Sequence, residues 1–158
     1  MNARISYTKA DPKALQMLLA LEAHISTSKL ETKLLHLVKM RASQINRCAF
    51  CLDMHSKDAR ADGESEQRLY SLDAWAETPY YSDRERAALE WTEAVTDLND
   101  GHASDSVYEK VRAHFSEDEI VALTLAIAMI NSWNRLNIAL RTEAGGYRAG
   151  MFNQLRTA

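Results

Sequence analysis

Three times in this chain a serine stands three residues ahead of a glutamate at the head of a helix-patterned stretch: Ser28 before Glu31, Ser82 before Glu85 and Ser116 before Glu119. In such a box the serine oxygen accepts from the first-turn backbone while the glutamate reaches back to the serine N–H. Two orphan donors are satisfied together, which marks a helix start. Asp11-Pro12 marks a fourth start, with aspartate as N-cap and proline where its missing N–H costs nothing. Gly63, Gly101 and Gly145-Gly146 supply stops. These signals predict helices over about 12–25, 28–46, 47–62, 65–76, 83–99, 104–114 and 117–142, with no competing strand-like alternation. The expected fold class is all-α, a compact domain of six to seven helices occupying 1–158.

A chain of 158 residues, 46% hydrophobic and 26% charged, has the size and composition of one soluble domain. Its net charge of −3 and lack of any Lys/Arg-rich run argue against nucleic acid or an anionic membrane as the main partner. The first residues carry no apolar segment followed by a small-residue cleavage site, so a cytoplasmic location is expected. The longest apolar stretch, Ile120–Ile130, falls short of the roughly 20 residues that span a bilayer. It reads as a buried helix. From Val121 to Leu140 that helix is apolar around most of its circumference, and a domain this small is expected to cover part of it with another subunit.

Function is concentrated in Asn46-Arg47-Cys48-Ala49-Phe50-Cys51-Leu52-Asp53-Met54-His55. With Asn46 read as an N-cap and about 100° per residue, Cys48, Cys51 and His55 share one narrow helical face. A first-turn thiol feels the positive end of the helix dipole, and Arg47 adds a cation beside it. His55, one turn past Cys51, is placed to take its proton. Redox chemistry competes with two other readings. Zinc would find three donors here, although one helical face converges poorly into a tetrahedron. Two cysteines can also pack simply as small hydrophobes.

The segment Arg41 to Arg60, RASQINRCAFCLDMHSKDAR, resembles the signature of the AhpD-like alkylhydroperoxidases in the carboxymuconolactone decarboxylase superfamily. Trp91–Leu98 and Leu123–Arg141 resemble later helices of the same subgroup, so the likeness covers most of the chain. It implies an all-helical, oligomeric protein, a trimer or hexamer. It also implies a thiol-dependent hydroperoxide reductase with Cys51 as the peroxide-reactive thiolate, Cys48 closing the disulfide and His55 in a proton relay. The partners would be a hydroperoxide and an external dithiol, with no metal or organic cofactor.

Two departures from the family pattern are visible. Twelve residues before the first cysteine, where the family carries a glutamate, stands His36, and Arg47 occupies a position often held by glycine. An imidazole can exchange a hydrogen bond with His55, but it cannot stabilise an imidazolium as a carboxylate does. If the chain reverses near Asn46, His36 and His55 lie at the same height on antiparallel helices. By the same reflection Arg41 lies level with Cys51, either in an ion pair with Asp53 or another carboxylate, or as a cation beside the thiolate. A non-catalytic, redox-sensing helical module and a lactone-acid decarboxylase are the competing functions. The second gives the two cysteines no task.

Overall fold

The computed structural model describes residues 2–98 and 102–152. The order of elements is α1 (Tyr7–Ala10), α2 (Pro12–Ser26), α3 (Thr32–Ile45), α4 (Ala49–Ala61), α5 (Glu66–Ser71), a 3-10 helix (Leu72–Glu77), α6 (Asp83–Thr96), α7 (Asp105–Arg112) and α8 (Glu117–Leu140). The protein is all-α, with eight α-helices rather than six or seven among the described residues. The short α1 carried no signal that the sequence reading used. The glycine stop expected at Gly101 lies outside the described residues.

Where local capping chemistry was strong it decided the boundary. Asp11 Oδ1 accepts from Ala14 N at 3.0 Å, and Ser82 and Glu85 form a reciprocal box at α6. At α8, Glu119 Oε2 accepts from Ser116 N at 2.8 Å. The box expected at Ser28 does not form. Backbone bonds from Thr27 and Ser28 still close the end of α2, so the chain needs residues 28–31 to turn, and Glu31 becomes the N-cap of α3. The helix expected over 65–76 is broken at Leu72, with Ala74 at non-helical φ −111 and ψ 33. Replacing Ser82 by alanine should cost about 1 kcal/mol. Calorimetry should register this as a melting temperature lower by roughly 2–4 °C.

The α3 helix is the central strut, packed against α4, α6 and α8. One core joins Leu34, Leu35 and Val38 of α3 to Ala88 and Trp91 of α6 and to Leu123, Ala126 and Ile127 of α8. A second, with Leu37, Leu69, Leu72 and Leu89, fills the space beneath α5 and the 3-10 helix. Helices of the same chain thus cover Leu123, Ile127, Met129 and Ile130, while Val121 and Ile138 stand exposed. The packing argument for a second subunit narrows to the part of α8 that carries these two large exposed side chains, with Leu125, Leu136 and Leu140 half-buried. Among the described residues no helix is long and apolar enough to cross a membrane.

Candidate functional site

The α3–α4 corner builds the site. After Ile45 the N–H of Arg47 returns to Gln44 O and the N–H of Cys48 to Ser43 O, each at 3.0 Å. This pair of bonds is a Schellman closure with Arg47 as its left-handed residue, φ 56. A non-glycine residue is held there at a cost of about 1–2 kcal/mol. The next residue, Cys48, is the N-cap of α4, and Cys51 sits in the first turn. Asn46 does not cap α4 as expected. It ends α3, and its amide turns to α8, donating to Asn131 Oδ1 at 2.8 Å and Asn134 Oδ1 at 2.9 Å.

Both cysteines are reduced and buried, Cys48 1% and Cys51 0% exposed. The two thiols are hydrogen-bonded to each other. The Cys51 S–H lowers the Cys48 thiol from 9.0 to about 7, against the opposing effect of burial, with help from the Cys51 and Phe50 backbone and the Asn134 amide. Cys51 is pushed well above the ordinary thiol range by its hydrogen bond to Cys48, by burial and by the neighbouring thiolate. The group that acts most strongly on each thiol is thus the other cysteine, whereas the sequence pointed to His55 as the group acidifying Cys51. Asn137 Nδ2 also donates to Cys51 Sγ at 3.4 Å, and Tyr7 OH donates to Asn137 Oδ1 at 3.2 Å. The Tyr7 hydroxyl is held above its usual range by burial and by the two cysteines.

His55 is buried on α4 and borders two cavities. One, of about 80 Å³, is mainly apolar, walled by Leu15, Leu19, Phe50, Met54, Trp133 and Phe152, with Tyr7, Thr8, Glu22 and Asn137 among its polar members. The other, of about 60 Å³, is polar and is shared with His36, Lys39 and Asp58. His36 bonds outward through Nε2 to Asp62 Oδ2 at 2.7 Å. The expected proximity of His36 and His55 thus takes the form of a common cavity. Arg41 is drawn away from the thiols, its Nε on Glu93 Oε1 at 2.7 Å and its Nη1 on Asp73. Asp53 instead pairs with Lys57 at 2.8 Å. Among the described residues no three His, Cys, Asp or Glu side chains converge as a metal-holding group.

Two features of the site escaped the sequence reading. Asn131, Asn134 and Asn137 form a buried polar ladder on α8, spaced three residues apart. Asn134 Nδ2 reaches Ser43 Oγ at 3.1 Å, and Asn131 Nδ2 reaches Thr96 Oγ1 at 3.0 Å. That periodic polar stripe in an apolar helix was the available signal. Glu22 and Lys39 form a buried ion pair at 2.6 Å, with side chains 6% and 8% exposed. Trp133 Nε1 donates to the other Glu22 oxygen at 3.0 Å. The lysine on the core side of α3 was the clue to a buried partner.

The carboxymuconolactone decarboxylase family model matches residues 12–94, more than half the chain and including the thiol corner. The chain belongs to this family. Its AhpD-like branch is marked by ATU0492 of Agrobacterium tumefaciens, a crystallised protein of unknown function provisionally described as the antioxidant defence protein AhpD. ATU0492 is 46% identical, with a TM-score of 0.89, over 92% of this chain and 100% of its own. The uncharacterised protein YdfG of Bacillus subtilis is 42% identical over 91% of this chain and 98% of its own. The debrominase Bmp8 shares the family fold at 19% identity, with a TM-score of 0.79 over 88% of this chain and 75% of its own.

Proposed function

We propose that this protein is a thiol-dependent hydroperoxide reductase with Cys51 as attacking sulfur, Cys48 as resolving sulfur, and His55 and His36 in its proton path. One observation carries the reading: two free cysteines buried side by side at the head of α4, with Asn137 Nδ2 donating to Cys51 Sγ at 3.4 Å. In the resting pair the Cys48 thiolate is the base nearest the Cys51 proton. As that proton moves to Cys48, Cys51 attacks the distal peroxide oxygen, and the O–O bond breaks. The departing alkoxide takes a proton by way of His55 and leaves as alcohol. Cys51 is then a sulfenic acid, and Cys48 displaces water from it to close the disulfide. An external dithiol supplies the two electrons that reopen it. The AhpD description of ATU0492 supports the same antioxidant class.

Peroxide consumption with a dithiol reductant tests the reading. The rate of peroxide reduction should rise with pH through about 7, following the ionisation of Cys48, and then level off. Ultraviolet thiolate absorbance should report one thiolate per chain over the same range. Replacing His36 by glutamate should raise the rate by roughly tenfold, as expected of a proton-transfer group improved within the 10²–10⁴-fold range of general acid–base effects. An inert parent and an inert His36→Glu protein, both with accessible thiols, would refute the peroxidase.

A further inference from the structure

The same helix-ending motif occurs three times among the described residues, and its left-handed residue differs in a way that marks a surface. After α4 the residue is Gly63, φ 82, with Gly63 N bonded to Arg60 O and Glu64 N to Ala59 O. After α3 it is Arg47 and after α8 it is Arg141, both at φ 56, with matching bonds to Gln44, Ser43, Ile138 and Asn137 carbonyls. Glycine adopts this backbone without a steric penalty, and arginine does not. The two arginines border one open groove of about 710 Å³, together with Cys48, Phe50, Ile138 and Glu143. Cys48 is the cysteine on that groove; Cys51 does not line it. Neither arginine side chain has a hydrogen bond or ion pair to a described residue. The groove holds two cations against one carboxylate in a chain whose net charge is −3.

We infer that this groove is the reductant port, and that it selects a small thiol carrying a carboxylate, which Arg47 and Arg141 hold over the Cys48 sulfur. The inference rests on the peroxidase reading for its place in turnover. The incoming thiolate attacks Cys48 Sγ, the Cys48–Cys51 bond breaks, and Cys51 leaves as thiolate and takes a proton. A second thiolate then attacks the external sulfur of the mixed disulfide, releasing the external disulfide and the Cys48 thiolate. The external thiols lose two electrons and the protein disulfide gains them. A volume of a few hundred Å³ suits a small ligand, and positive groups around the sulfur also favour the approach of the anionic nucleophile.

The test forms the protein disulfide with diamide, so that it does not depend on peroxide chemistry. Its reduction is then followed with mercaptopropionate, mercaptoethanol and cysteamine, with rates expressed per thiolate and divided by those on a small neutral disulfide. The wild type should prefer the anionic thiol over the cationic one by on the order of tenfold. That gap should shrink in about 1 M salt, where the Debye length is about 3 Å. It should fall to about twofold or less in Arg47→Gly/Arg141→Gly protein, whose backbone the change relieves, and persist in Arg47→Lys/Arg141→Lys protein. Cysteamine as fast as mercaptopropionate, a preference unchanged in the glycine variant, or thiols that diamide cannot link would each overturn the port. Peroxide consumption is measured separately. Its absence alongside an intact charge order overturns the peroxidase and not the groove, and the reverse pattern overturns the groove alone.

Discussion

Cys51→Ser protein is expected to lose hydroperoxide reduction by about 10³-fold or more, because no other group in the corner replaces the sulfur that attacks the O–O bond. Cys48→Ser should behave differently. It lacks the resolving thiol and the thiolate that takes the Cys51 proton, but keeps Cys51 beside Asn137 and one turn from His55, so it should react once, more slowly than the parent, and stop as a sulfenic acid that dimedone traps on Cys51. The Cys51→Ser protein should give little adduct on Cys48 even though Cys48 is the more acidic thiol of the reduced pair. Acidity and nucleophilic role separate in this reading because the Cys48 thiolate serves first as the base that takes the Cys51 proton while Cys51 attacks, and then as the thiol that closes the disulfide. Mass spectrometry decides the assignment. An adduct chiefly on Cys48 would exchange the two roles and make the acidified groove-facing sulfur the attacking one.

The second large effect is on stability. Glu22→Leu leaves the Lys39 ammonium buried without its carboxylate and removes the acceptor of Trp133 Nε1. Breaking one side of a buried pair typically costs about 3–5 kcal/mol. At roughly 2–4 °C per kcal/mol for a domain of this size, the melting temperature should fall by about 10 °C. The double variant Glu22→Leu/Lys39→Met should recover most of that loss, since replacing a whole buried pair by apolar groups of similar volume is often neutral. Denaturant titration of the two single variants and the double one provides the test. A double variant as unstable as Glu22→Leu would mean that the loss comes from packing around Trp133 rather than from the stranded charge. Because Glu22 also borders the cavity of His55, the double variant additionally reports whether the pair affects the pH dependence of turnover.

The sequence by itself determined what lies within a few residues along the chain. The boxes at Ser82 and Ser116 and the cap at Asp11 act between residues three apart, so they hold in the fold. Cys51 and His55 lie one turn apart on α4 as the helical repeat requires, whereas Cys48 stands just outside that helix as its N-cap, with extended backbone, rather than on the helical face expected of it. Ser28 had the same local signal and lost it, because the end of α2 needed those residues to turn. Only the tertiary structure decided which groups meet across the chain: Asn137 on Cys51 from 86 residues away, and Trp133 on Glu22 from 111. It also drew Arg41 to Glu93 and Asp73 rather than to the thiols, and set Arg47 and Arg141 in backbone conformations that their residue type does not announce. The physical reason is one of range. Helix caps and periodicity are fixed by bonds between near neighbours, whereas a buried amide or ion pair finds its partner only after packing has brought distant helices together.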